Sequence, residues 1–345
     1  MIEGYATIDG TREYFTKREI EEVNIRRCQY FNSLPIAMGN HLGDFSNEDT
    51  EKYIDTMVYG LENGVNFIDT AINYRGMRSE KDVGTVLNYL INEEKSVKRE
   101  EIIISTKAGQ IFGDYLAGIR PMDYLNNILL PQGIVNKEEL NIIEDARHTL
   151  APKFYEKAIE ISRGNLGLTT IDIHYIHNPE ISMFLLGKDK FYKELKALLE
   201  FYEDEVERGH LRFYGLATWD AFLVDEDSPC YISMEEVMKL AKEVAGEANH
   251  FRFIQMPYNI YRMEANIKKN QKVLGEYRTP IEAAVKLGLT VTISSPLNAG
   301  KIEKDDDVDN MLSFVTNTEG VYAAMVGCKS KEHLMRNINI QCSIL

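Results

Sequence analysis

Along most of this chain, short apolar runs alternate with stretches whose apolar residues recur at helical spacing. That alternation restricts the fold more than any other feature of the sequence. The runs are L-P-I-A-M-G from Leu34, V-N-F-I-D ending on Asp69, E-I-I-I-S-T-K ending on Lys107 and I-D-I-H-Y-I-H ending on His177. They continue with L-R-F-Y-G-L-A-T from Leu211, F-R-F-I-Q from Phe251, L-T-V-T-I-S-S from Leu289 and V-Y-A-A-M-V from Val321. Between them, Ser46 precedes a stripe of Ile54, Met57, Val58 and Leu61, which Gly64 ends, and Ser79 precedes Val83, Val86, Leu87 and Leu90. Pro152 opens a helix to about Arg163. Phe191, Leu195, Leu198, Leu199 and Tyr202 mark a long helix, and Ser233 opens one with Val237, Leu240, Ala241 and Val244. Thr279-Pro280-Ile281-Glu282 reads as a capping box, and Lys329-Ser330 opens a last helix. Eight strands, each followed by a helix, predict an α/β fold of the (β/α)8 TIM-barrel type. A doubly wound sheet is the competitor, but no G-x-G-x-x-G follows any strand.

Two stretches stand outside this rhythm, within what reads as a single barrel domain over residues 1–345. Residues 1–33 precede it, and Asp9-Gly10 between Tyr5–Ile8 and Tyr14–Phe15 predicts an N-terminal β-hairpin that caps one end of the barrel. Residues 108–148 form an insertion after the third strand, too long for an ordinary loop, and should lie over the strand ends. His148 ends this insertion; reaching the substrate pocket is the alternative to a capping or surface role, which is the expected one. The acidic run Glu303–Asp309 reads as a solvated loop.

Bulk properties exclude several classes. The 44% hydrophobic and 27% charged fractions are those of a soluble globular protein. A net charge of -15 argues against nucleic acid and anionic membrane as partners. No apolar run is long enough to span a bilayer, and the start carries no secretory pattern. Cys28, Cys230, Cys328 and Cys342 lie too far apart for a metal-ligand motif, so a reducing cytoplasm is the expected setting.

Polar residues close several of the buried runs, and the C-terminal ends of barrel strands are where sites are built. Asp69, Lys107, His177 and Gln255 hold such positions, and Tyr74 follows Asp69 by five residues. An ammonium beside a phenol favours the phenolate, and a carboxylate paired to that ammonium keeps it charged.

The order Asp69, Tyr74, Lys107, His177, with the stretch G-V-N-F-I-D-T-A-x-x-Y, resembles the aldo-keto reductase family over about residues 34–337. The resemblance implies hydride transfer between NADP, or NAD, and a small-molecule carbonyl or alcohol. Tyr74 would be general acid or base, held by Asp69 and Lys107, and His177 would orient the substrate oxygen. It implies no metal. It further implies that Gln255, Asn178 and Thr218 meet the nicotinamide carboxamide. Ser295, Leu297 and Lys301 would lie near the pyrophosphate. Lys329, Ser330, His333 and Asn337 would grip the adenosine phosphate. The chain departs from the family at Trp219, where an asparagine is usual, at Ser294, where many members have an aromatic, at His333, where many have an arginine against the 2′-phosphate, and at Arg336, where many have an acid. Two alternatives stay open: a redox-neutral elimination or epimerisation with a tightly held nicotinamide, and a cofactor-binding regulatory subunit of potassium-channel type. The sequence names neither substrate nor oligomeric state.

Overall fold

The computed structural model describes residues 1–303 and 307–342. Eight parallel strands close into a barrel: β1 Ile36–Gly39, β2 Phe67–Asp69, β3 Ile103–Ala108, β4 Ile171–His177, β5 Leu211–Ala217, β6 Phe251–Pro257, β7 Thr290–Ser294 and β8 Val321–Gly327. The eight apolar runs of the sequence are these eight strands. Each is followed by a helix: α1 Asn47–Glu62, α2 Arg78–Leu87, α3 Pro152–Leu166, α4 Glu180–Glu207, α5 Met234–Ala245, α6 Pro280–Lys286, α7 Val308–Thr316 and α8 Lys331–Cys342. α4 is broken at Gly187.

Side chains alternate across a strand, so one phase points into the barrel and the other toward the helices. Ala37, Phe67, Ile103, Ile173, Phe213, Phe253 and Ala323 share one buried cluster. Met38, Ile68, Ile104, Ile176, Ile254 and Ile293 belong to the layer packed under the helices. Counting in twos from Phe67, Ile103, Ile173 and Phe253 reaches Asp69, Lys107, His177 and Gln255. The phase that fills the barrel floor with apolar groups therefore aims these four inward at the C-terminal end.

Local chemistry fixes the helix starts. Ser46 accepts from the Asp49 amide, Ser233 from Glu236, and Thr279 with Glu282 forms the expected capping box. Ser79 does not cap α2. That helix begins at Arg78 behind a left-handed Met77, and the Ser79 hydroxyl donates to the Asn40 carbonyl at 2.8 Å. The acidic run Glu303–Asp309 falls partly outside the described residues; its Asp307 caps α7.

An N-terminal hairpin is present, but not at Asp9-Gly10. Those residues lie in the first turn of a helix, Ile8–Lys17, whose cap Thr7 accepts from the Gly10 amide at 2.9 Å. Gly10 serves close packing there, since a Cβ would stand 2.3 Å from the Glu100 carbonyl oxygen. The hairpin pairs Arg26–Arg27 with Asn32–Ser33. It carries the fully buried Phe31 into the barrel-floor cluster, against Phe213 and Phe253. The 108–148 segment contains its own hairpin, Asn141–Ile143 with Ala146–His148. Its Phe112 packs on Phe154 of α3, and Asn141 bonds Ser182 of α4.

Removing the Phe31 ring leaves a cavity at the closed end. Phe31→Ala should lower the unfolding free energy by about 3–5 kcal/mol, read from urea midpoints. A loss well under about 1 kcal/mol would mean that other side chains close the floor.

Candidate active site

At the C-terminal end of the barrel a fully buried lysine meets an aspartate from the neighbouring strand. Lys107 Nζ donates to Asp69 Oδ2 at 2.6 Å and to the Thr70 carbonyl at 2.8 Å. Asp69 Oδ1 accepts from Ser105 Oγ at 2.6 Å and Gln255 Nε2 at 3.2 Å. Burial pulls the Lys107 pKa down, but the charge of Asp69 and the neighbouring Tyr74 carry it above the ordinary value. The lysine is held as a cation.

Tyr74 enters from the loop after β2. Its ring centroid is 4.9 Å from Lys107 Nζ, 5.8 Å from the His177 ring and 4.4 Å from the His41 ring. Burial raises the phenol pKa; the Lys107 charge opposes that, and the net effect is upward. The activating effect expected of the lysine is thus present but outweighed by desolvation. The next three residues, Arg75, Gly76 and Met77, all have positive φ. For Arg75 and Met77 this backbone is unfavourable and must be imposed by surroundings. Arg75 is held by Asp82 at 2.5 Å, Thr50 Oγ1 at 3.0 Å and the Asp44 carbonyl at 2.9 Å.

His177 is neutral, since burial and then Lys107 push its pKa well below the usual imidazole value. Its Nδ1 is buried without a partner. Its backbone is braced by His148, whose Nε2 lies 3.0 Å from the His177 carbonyl oxygen and whose Nδ1 lies 2.6 Å from Ser182 Oγ. Gly109 makes room, since a Cβ there would stand 2.6 Å from His148 Nε2. His148 is therefore neither a cap nor on the surface; it is fully buried behind the site.

These residues open onto a cleft of about 350 Å³. Asp69, Tyr74, His177, Asn178, Thr218, Gln255, Ser295 and Leu297 all line it. Lys107 lies behind them. Lys301 is exposed and outside the lining; Lys329, Ser330, His333 and Asn337 are also outside it. Lys329 pairs with Asp49 at 2.8 Å, and Ser330 Oγ donates to Glu332 at 2.6 Å and accepts from the His333 amide. Arg336 pairs with Asp309, and Asn337 is buried. His41, Asn73, Gln110 and Trp219 also line the cleft. The first three escaped the sequence reading, although His41 lies just past the end of β1, a position like those that disclosed Asp69 and His177. Of the 108–148 segment, Gln110 reaches the lining. Among the described residues no cluster of metal-ligating side chains occurs, and no helix is long and apolar enough to cross a membrane.

The family model for the aldo/keto reductase family matches residues 36–311. Among curated proteins, the chain is similar to a D-threo-aldose 1-dehydrogenase of a Pseudomonas species, 29% identical over 119 residues, which is 34% of this chain and 31% of that protein. The fold resembles a glycerol dehydrogenase from Gluconobacter oxydans (17% identity, TM-score 0.61, 93% of this chain and 90% of that one). It also resembles an aldo/keto reductase from Klebsiella pneumoniae in complex with NADP and acetate (18%, TM-score 0.57, 92% and 89%).

The buried histidines carry a pH cost. Burial depresses His148 and His174 from 6.5 to about 3. Below the unfolded value the unfolded chain binds more protons than the native one. Their contribution to stability is complete above that value and is lost as pH falls. Thermal unfolding should therefore show a Tm that drops from neutral pH toward pH 5, and His148→Gln should flatten that dependence. Equal slopes for parent and variant would contradict the assignment.

Proposed function

The chain belongs to the aldo/keto reductase family, and we propose that it is a nicotinamide-dependent oxidoreductase interconverting a carbonyl and an alcohol, with Tyr74 as acid and base. The observation that carries this reading is the buried Lys107–Asp69 pair set against the Tyr74 ring, with a neutral His177 ring 5.8 Å from it. In reduction, Tyr74 gives its proton to the carbonyl oxygen as negative charge develops there, and Lys107 stabilises the phenolate left behind. Asp69 keeps Lys107 charged and in place. His177 hydrogen-bonds the same oxygen and sets its direction. In oxidation, Tyr74 takes the proton back. A bound nicotinamide supplies or accepts the hydride.

The cleft suits that cofactor. Thr218 Oγ1 is buried with no partner and lines the cleft with Asn178 and Gln255, a set that matches the donors and acceptors of a carboxamide. Ser295 and Leu297 continue the lining away from Tyr74 and would follow the pyrophosphate. Just past Gly327 of the lining, the N-terminus of α8, with Lys329, Ser330 and His333, favours an anion and hence NADP over NAD. Lys329 would have to leave Asp49 to meet a 2′-phosphate, so NAD is also admitted.

The substrate is a small carbonyl or alcohol. Beside Tyr74 the wall is polar: His41, Asn73, whose Oδ1 has no partner, and Gln110. Further hydroxyl groups on the substrate would satisfy these atoms, in agreement with the aldose substrate named for the Pseudomonas relative.

Tyr74→Phe removes the proton donor and leaves the ring in place. With a short hydroxylated aldehyde and NADPH, kcat should fall by about 10²- to 10⁴-fold, while nicotinamide fluorescence titration shows cofactor binding unchanged. Retention of most of the activity would rule out Tyr74 as the acid.

A further inference from the structure

Glu180 is a buried carboxylate at the C-terminal end of the barrel for which the proposed chemistry has no use. It opens α4, three residues after His177. Its Oε1 accepts from the Trp219 amide at 2.6 Å and, more weakly, from the Asp220 amide at 3.4 Å. Its Oε2 is buried and has no hydrogen-bond partner. The loop it holds is the one after β5, which gives Thr218 and Trp219 to the cleft wall. On the other side of that loop, Arg262 donates to the Trp219 carbonyl at 3.0 Å and pairs with Asp220.

We propose that Glu180 is a positioning residue whose ionised carboxylate fastens the Trp219 amide and so fixes the cleft wall, and whose protonation loosens that wall. A hydrogen bond from an amide to a carboxylate is about twice as strong as one to a neutral oxygen. A proton arriving on Oε2 breaks no existing bond, and it weakens Oε1 as an acceptor at once. At Trp219 and Asp220 the loop then keeps the tie to Arg262, while Asn270 holds it further on at Phe222 and Val224.

The surroundings put this change near neutrality. Burial raises the Glu180 carboxyl to about 7, against the pull of the Trp219, Glu180 and Asp220 amides; the Asp220 charge adds to the rise. The other titratable groups facing it are few. Arg262 is engaged with Asp220. His177, just before α4, and His148, across from Ser182 of the same helix, are both held neutral by burial. None of them supplies Oε2 with a countercharge.

Trp219 is the sole tryptophan of the chain, so intrinsic fluorescence reports this wall directly and without substrate or cofactor. In the full-length protein, emission maximum and acrylamide quenching should titrate together between about pH 5.5 and about pH 8.5 with one midpoint near the Glu180 value. Glu180→Gln should abolish the titration and show the acid-form emission throughout. Asp220→Asn, which withdraws the neighbouring negative charge, should move the midpoint to lower pH, and it tests the proposal even if the glutamine variant does not fold. Emission that is flat with pH in the parent, the same midpoint in Glu180→Gln, or a midpoint indifferent to Asp220→Asn would each overturn the proposal.

Discussion

The Lys107–Asp69 pair is the interaction on which the site depends. Both side chains are buried, and two charges removed from water cost more than a bare ion pair returns. The pair persists because its remaining valences are filled: Thr70 takes a second proton of the ammonium, and Ser105 and Gln255 donate to the carboxylate. Removing one partner would leave an uncompensated charge in the barrel, at a cost of about 3–5 kcal/mol. The same charge sets the states of its neighbours. It opposes the upward push of burial on Tyr74 and adds to the downward push on His177. A fixed cation, a protonated phenol and a neutral imidazole therefore meet at one point of the cleft.

Holding those groups requires structure well behind them. Tyr74 is on a loop, not a strand, and its direction is imposed by the left-handed residues that follow, which Arg75 locks through Asp82, Thr50 and Asp44. His177 is steadied from below by His148, which reaches its carbonyl only because position 109 is glycine. The barrel floor is a separate layer of aromatic and aliphatic groups closed by Phe31. The chain thus spends its apolar phase on closure and its polar strand ends on the site.

Much of this was legible because β-strand alternation is strict. Once the runs ending on Asp69, Lys107 and His177 are strands, their phase and their end of the barrel follow. Legibility failed where contacts distant in sequence decide. Asp9-Gly10 has the local signature of a turn, yet Thr7 capping and close contact with Glu100 make it a helix start. Ser79 looks like a cap and is instead tied to Asn40. His148 could not be told from a surface residue without knowing that the insertion folds its last strand under His177. Glu180 looks like one more acid in a helix first turn until the loop after β5 is seen to hang on it. Lys329 is the reverse case: the resemblance picks it out from the sequence, but its engagement with Asp49 is a chain-specific detail that no local pattern discloses.

On the proposed reading, one cleft holds a nicotinamide against the Tyr74, Lys107 and His177 constellation. Titration of the purified protein with NADPH and with NADH, followed by nicotinamide fluorescence, tests it most directly. Saturable binding is expected, tighter for NADPH, and a Thr218→Val variant should bind both reduced cofactors more weakly because the buried hydroxyl is gone. Binding of neither cofactor would contradict it, and the buried charge pair would then be the remnant of a barrel that no longer carries out reduction.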